Sequence, residues 1–262
     1  MGSQEIALIV SNLDVVYNRI IVALHNISFT VKEKEIISIL GRNGAGKTTT
    51  LRAISGFFKS EGISIRNGDL LWCGNSLKGK MPFEIVRSGV VLVPEREKIF
   101  ETLTVHENMQ CSVSNEINSK RKNQIRNEIF SYFPILKSRQ KQTAGYLSGG
   151  ERQMLSIGKA LLCSPRLLLI DELSLGLAPL IISSLMEILS KMRCDLRISI
   201  LLVEQNAVAA LGIADYGLVL ENGSIVLEGK PDFLISNPMI RDFYLGAADK
   251  TERRRYRDFK KD

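Results

Sequence analysis

The stretch Ile36-Ile37-Ser38-Ile39-Leu40-Gly41-Arg42-Asn43-Gly44-Ala45-Gly46-Lys47-Thr48-Thr49 decides how the chain is read. Ile36–Leu40 is an apolar run that stops at a glycine, as expected of a strand buried on both faces in a parallel sheet. Gly41–Thr48 then fits G-x-x-x-x-G-K-[ST], and a helical pattern from Thr49 to Ile54 follows it. Glycines let the backbone wrap tightly, so that consecutive N–H groups and the helix N-terminus point at phosphate oxygens. Lys47 is placed to reach β- and γ-phosphates, and Thr48 a magnesium ion. Gly41, Arg42, Asn43, Gly44, Ala45, Gly46, Lys47, Thr48 and Thr49 are therefore the expected nucleotide-binding residues. A chain of this composition matches the pattern by chance roughly one time in a hundred, before the flanking strand and helix are required.

Further apolar runs recur at Val90–Val93, Leu167–Ile170 and Ile198–Val203, separated by helical patterns, which predicts a βαβ-type sheet. Upstream, Ile6–Val10 and Ile27–Val31 are short and rich in Ile and Val, and read as strands of a small β layer. Between Thr104 and Leu162 the texture changes: Ile125, Ile129, Tyr132 and Phe133 recur at helical spacing among charged residues, which predicts an inserted helical subdomain. Turns at Glu221-Asn222-Gly223 and after Glu228 frame a short strand, Ile225–Leu227. Terminal helices are expected near Asp232–Ser236 and Ile240–Leu245.

The run Leu167–Ile170 ends in Asp171-Glu172. Emerging beside the phosphate loop, Asp171 is placed to hold magnesium and Glu172 to polarise an attacking water as general base. Alone this is a weak signal, since many buried strands end in an acid; the upstream loop gives it weight. Leu147-Ser148-Gly149-Gly150-Glu151 heads a helix-like run from Arg152 to Leu162 and arises by chance in roughly one such chain in a thousand. A Ser-Gly-Gly turn at a helix start is a second anion site. Two phosphate-binding ends on one chain imply that each completes a site on a partner.

Composition narrows the classes. Hydrophobic content of 45% against 24% charged places the 262 residues among globular proteins with a sizeable core. The longest uncharged stretch, Leu173 to Met186, is broken by Pro179 and falls short of the ~20 apolar residues that a bilayer span needs. The N-terminus lacks the pattern of a secretory signal, so a cytoplasmic protein is expected. Cys73, Cys111, Cys163 and Cys194 form no CxxC pair, and are expected to be reduced and mostly buried. Part of the net charge of +7 comes from the basic tail after Glu252. Such a tail is compatible with anionic lipid or nucleic acid, but a solvated terminus is the simpler reading.

The phosphate loop, LSGGE, the LLLIDE strand and Ser174-Leu175-Gly176-Leu177-Ala178-Pro179, in that order, resemble an ATP-binding-cassette (ABC) ATPase. The resemblance covers the chain from about Glu5 to Ala247. It implies an α/β fold: a P-loop NTPase (RecA-like) core with an N-terminal antiparallel β subdomain and an inserted α-helical subdomain. The core is expected over 1–93 and 165–247, the helical subdomain over 94–164, and a basic tail over 248–262. In that family two subunits sandwich two MgATP head to tail. Ser148, Gly149 and Gly150 would then contact the ATP held by the partner, with Tyr17 stacking on adenine.

Departures from the family pattern point to one branch. Glu95 stands where most members carry a glutamine that touches magnesium and senses the membrane subunit, and Gln205 where most carry a switch histidine. Leu173 replaces the usual proline after the catalytic glutamate. Val93-Pro94-Glu95, Val203-Glu204-Gln205-Asn206-Ala207, Phe100–Val105, Leu220–Gly223, Val226–Gly229 and Tyr244-Leu245-Gly246 are similar to the F-type ATPase of the branched-chain amino acid importer. That branch implies a second, related ATPase, with a homodimer as the alternative, two membrane permeases and a periplasmic binding protein. It also implies a peripheral site on the cytoplasmic face of the inner membrane. A glutamine at 205 cannot titrate near neutrality, which implies two unequal composite sites. Other cargoes (urea, amides, other amino acids) and a soluble ABC ATPase acting on nucleic acid are the alternatives; no nucleic-acid partner is expected. A non-hydrolysing regulator conflicts with an intact Lys47, Asp171 and Glu172.

Overall fold

The computed structural model describes residues 5–57, 62–95, 99–112 and 119–240. The basic tail, the Tyr244–Gly246 stretch and the expected helix beyond Ile240 lie outside them. Strands β1 (Ile6–Tyr17) and β2 (Ile21–Lys32) form an antiparallel pair. Both run further than the apolar stretches foretold. Asn18 and Arg19 form the turn between them, whereas Asn12 and Asn26 lie inside the strands with left-handed φ values of 48°, and the β1–β2 register shifts between Val10 and Leu13. The Asp14 carboxylate accepts the Asn26 N–H at 2.7 Å, so a polar side chain occupies the irregularity.

The second sheet holds the phosphate loop. It begins with β3 (Ile36–Leu40), buried at every residue, which leads through the loop into α1 (Lys47–Ser55). Next come β4 (Ile63–Trp72) and β5 (Asn75–Ser76), which join the first sheet in the order β2-β1-β4-β5. After α2 (Pro82–Arg87) and β6 (Val90–Val93) the chain turns helical: α3 (Val105–Gln110), α4 (Ser119–Tyr132), α5 (Pro134–Ser138) and α6 (Gly149–Leu161). It returns to the sheet with β7 (Leu167–Asp171), α7 (Pro179–Leu196), β8 (Ser199–Glu204), α8 (Ala207–Leu211), β9 (Tyr216–Glu221) and β10 (Ser224–Gly229). Helix α9 (Pro231–Ser236) follows. The large sheet runs β10-β9-β3-β8-β7-β6, parallel except for β10 at its edge. The fold is therefore the α/β arrangement expected, with helices α3–α6 inserted between β6 and β7.

Strand alternation splits the core into two clusters. Ile36 and Leu40 of β3, with Leu168 and Ile170 of β7, pack with the helical insertion and α7. Ile37 and Ile39, with Leu167 and Leu169, pack with α1 and the first sheet. One correction concerns the cysteines: Cys73, Cys111 and Cys194 are exposed and Cys163 half-buried, all of them free. Cys73 and Cys111 sit in turns and Cys194 on an exposed position of α7, while Cys163 packs partly against the core. Among the described residues no helix is long and apolar enough to cross a membrane.

Candidate functional site

In an open parallel sheet, ligands bind beyond the carboxyl ends of the strands. Here β3 ends at Leu40, level with Glu204 of β8, and β7 ends at Asp171, level with Val203. The phosphate loop, the acidic pair and the residues following β8 thus issue from adjacent strand ends.

The loop turns into α1 through Gly46, whose φ of +106° is open to glycine and strained for other residues. A Cβ there would also lie 2.6 Å from Leu24 Cδ2. The Lys47 ammonium is buried, donates to Arg42 O at 3.2 Å and pairs with Glu172 Oε1 at 3.0 Å. Thr48 donates its hydroxyl to Asp171 Oδ1 at 3.0 Å, and the Tyr17 hydroxyl lies 3.1 Å from Thr49 Oγ1. Glu172 has a left-handed φ of +46°, unusual for a glutamate, and its N–H donates to Val203 O at 3.0 Å.

Burial pushes the Asp171 carboxyl up to about 6; the Thr48 hydrogen bond and Arg52 pull the other way, while Glu172 and Glu95 add to the rise. Burial likewise raises Glu204, and two bonds from Ser174 oppose it. Thr48 and Asp171 offer oxygen donors alone, the chemistry magnesium prefers. Among the described residues no cluster of three or more acidic, His or Cys side chains is able to hold a metal unaided.

A cavity of about 820 Å³ opens over these groups, within the range of ligand sites. Of the expected residues, Tyr17, Asn43, Gly44, Gly46, Lys47, Thr48, Thr49, Glu95 and Glu172 line it. Gly41, Arg42 and Ala45 of the loop are not among the lining residues, and Asp171 meets the site through its hydrogen bond with Thr48. Gln205 is exposed and lies outside the lining. Residues the sequence did not assign to the site also line the cavity: Ile21, Val22, Ala23 and His25 of β2, Leu175, and the Asn222-Gly223 turn. The last had a signal, a left-handed Asn-Gly pair, but not its contact: Gly223 donates its N–H to Ala45 O at 2.9 Å.

Ser148, Gly149 and Gly150 start α6 and are absent from the cavity lining. Ser148 caps that helix: its Oγ accepts the Glu151 N–H at 3.4 Å and its own N–H donates to Glu151 Oε2 at 2.8 Å, while Glu151 pairs with Arg139 at 3.1 Å. Arg152 holds the preceding turn through Leu147 O at 3.1 Å and Gly145 O at 2.6 Å. A Cβ on Gly149 would lie 3.3 Å from Leu177 Cδ2, and one on Gly150 2.8 Å from Ile181 Cγ2, so the helix start abuts the segment leading into α7.

The raised Asp171 carboxyl gives a pH prediction. If Asp171 holds magnesium, a proton would compete for the group below about 6, so the Mg²⁺ concentration for half-maximal turnover should rise about tenfold per pH unit there and stay flat above about 7. Asp171→Asn should abolish the slope. Gln205 adds no inflection near neutrality, whereas Gln205→His should add one. Turnover against Mg²⁺ concentration at several pH values checks this; a flat wild-type response down to pH 5 contradicts it.

Comparison with known proteins places the chain among one group. A family model described as ABC transporter matches residues 24–174. The chain is 43% identical over 226 residues, covering 86% of itself and 94% of its relative, to the high-affinity branched-chain amino acid transport ATP-binding protein BraG of Pseudomonas aeruginosa. It is 30% identical over 226 residues to the probable branched-chain amino acid transport ATP-binding protein LivF of Archaeoglobus fulgidus, covering 86% and 93%. Its fold resembles that of a nucleotide-free ATP-binding cassette from an ABC transporter, with a TM-score of 0.80 at 24% identity over 92% of this chain and 99% of that one. An ATP-binding subunit of an ABC transporter aligns with a TM-score of 0.74 at 27% identity, covering 87% and 91%.

Proposed function

Since the chain belongs to the ABC transporter ATP-binding family, we propose that it is the ATP-hydrolysing subunit of an importer for branched-chain amino acids. It works as one half of an ATPase dimer, with a second, related ATPase, two membrane permeases and a periplasmic binding protein. Its place is the cytoplasmic face of the inner membrane. The observation that carries the enzymatic reading is the pairing of Lys47 with Glu172 at 3.0 Å, beside Thr48 with Asp171 at 3.0 Å, at the cavity. The cargo reading is supported by the two relatives named for branched-chain amino acid transport. Urea, amides and other amino acids are the alternative cargoes.

In this mechanism the loop amides and Lys47 bind the phosphates of ATP, and Tyr17 stacks on adenine. Glu172 accepts the proton of the attacking water. Thr48 and Asp171 hold magnesium, which supplies charge neutralisation on the phosphate oxygens. Lys47 now spends its charge on Glu172; a γ-phosphate reaching it would release the carboxylate to act on water. Gln205 donates an amide hydrogen bond to the γ-phosphate without titrating. The helix start at Ser148–Gly150 faces the nucleotide of the partner, a reading supported by its separation from this chain's own cavity. Residues 94–164 form the unit carrying that helix, and Glu95 at its hinge couples the site to a permease.

Two measurements test the proposal together. At 100 times its Kd, MgATP should stabilise the chain by about 2.7 kcal/mol, RT ln(1 + [L]/Kd). For a chain of this size that is a rise in Tm of roughly 5–10 °C. A tagged chain drawn from native membranes should retain two permeases and a second ATPase. No thermal shift, or retention of nucleic acid in place of membrane subunits, contradicts the proposal.

A further inference from the structure

The strand next to β7, which Glu172 directly follows, ends in another buried carboxylate, and the hydrolytic reading gives it no task. Glu204 closes β8 and is fully buried. Its Oε1 accepts the Ser174 N–H at 2.8 Å and its Oε2 the Ser174 hydroxyl at 2.5 Å. Burying a carboxylate costs desolvation that an apolar side chain at this place would not incur, and short bonds to the ionised form offset it. Both of these bonds go to one residue of a loop, 30 positions away in sequence.

That residue lies two places beyond Glu172. Glu172 takes a left-handed φ of +46° and donates its N–H to Val203 O at 3.0 Å. Consecutive residues of β8 therefore grip the turn from both ends, Val203 directly and Glu204 through Ser174. Leu173 between them is buried and, unlike a proline, leaves φ at its own position free. Ser174 also starts the next turn: its carbonyl accepts the Leu177 N–H at 3.2 Å, and Leu177 is the side chain that meets Gly149.

We propose that Glu204 is a positioning residue: by holding Ser174 with both carboxylate oxygens it fixes the strained backbone at Glu172, and so the aim of the Glu172 carboxylate. It also sets the turn that seats Leu177 against the start of α6. This rests on the assignment of Glu172 as general base.

The test uses the full-length chain with the subunits it retains. Glu204→Ala should lower kcat by about 10- to 100-fold while KM and MgATP affinity stay within about threefold. Glu204→Gln accepts from the Ser174 N–H through its oxygen and donates to the hydroxyl through its amide, so kcat should return to within about threefold of wild type. In a Glu172→Gln background Glu204→Ala should change the residual rate by less than about twofold, because the group it positions has gone. The proposal is overturned by a kcat for Glu204→Ala within twofold of wild type. It is equally overturned by equal losses in the two backgrounds, or by Glu204→Gln being as impaired as Glu204→Ala. Should Glu204→Ala fail to fold, Ser174→Ala decides: a loss of about 3- to 10-fold in kcat at unchanged affinity supports the brace, and no loss overturns it. Wild-type turnover by Glu172→Gln alone would remove the premise, an outcome distinct from a failure of the brace.

Discussion

Glutamine in place of Glu172 is expected to cut MgATP turnover by at least about 100-fold while leaving nucleotide binding intact. General-base catalysis by a positioned side chain contributes about 10²- to 10⁴-fold, and a carboxamide is too weak a base to supply it. The substitution is close to isosteric. Its oxygen still accepts from Lys47, now 3.0 Å from Glu172 Oε1, so the ammonium keeps that partner as well as Arg42 O. Removing a negative charge from a buried site that must receive a γ-phosphate lowers repulsion, so affinity should hold or improve. Steady-state turnover with an equilibrium binding measurement on the same preparation checks both halves. Hydrolysis at the wild-type rate would show that another group takes the proton.

Alanine in place of Lys47 is expected to remove both binding and turnover. A hydrogen bond to a charged group is worth about 1.5–3 kcal/mol, so losing the ammonium weakens MgATP by about 10- to 150-fold. A further effect acts on the fold. Glu172 is buried and forms an ion pair with Lys47. Breaking a buried pair by truncating one member costs about 3–5 kcal/mol, since the other charge is left uncompensated. The double variant Lys47→Ala/Glu172→Gln should therefore unfold at a higher temperature than Lys47→Ala alone. Equal melting temperatures would place the Glu172 charge in contact with water or another cation.

Much of this site is legible in the sequence because its signals are local. The run Ile36–Leu40, the spacing of Gly41–Thr48 and the acids after Ile170 each follow from a single segment, and the strand ends bring them together in the expected order. What escapes the sequence is long-range. Strand β4 carries Asn67-Gly68 in its middle, a pair that reads as a turn. In the fold Gly68, at φ +91°, lies opposite the Asn12 bulge, where a Cβ would be 2.4 Å from Asn12 O. Strand β9 is short and carries Gly217, where a Cβ would lie 2.4 Å from Leu234 Cδ1, so close packing rather than strand propensity selects the residue. The partners of Glu204 and of Gly223 are likewise set by which strand ends are neighbours. The strands also run past the apolar runs Ile6–Val10 and Ile27–Val31, because a polar residue in a bulge and one in a turn look alike in sequence; only pairing tells Asn12 and Asn26 from Asn18 and Arg19.

The claim on which the mechanism stands is that the loop around Lys47 holds the phosphates and Glu172 acts on the water brought to them. Titrating MgATP into wild type, Glu172→Gln and Lys47→Ala by calorimetry tests it most directly. The account predicts a Kd for Glu172→Gln equal to or below that of wild type, and one for Lys47→Ala weaker by at least about tenfold. Binding to Lys47→Ala with wild-type affinity would contradict it.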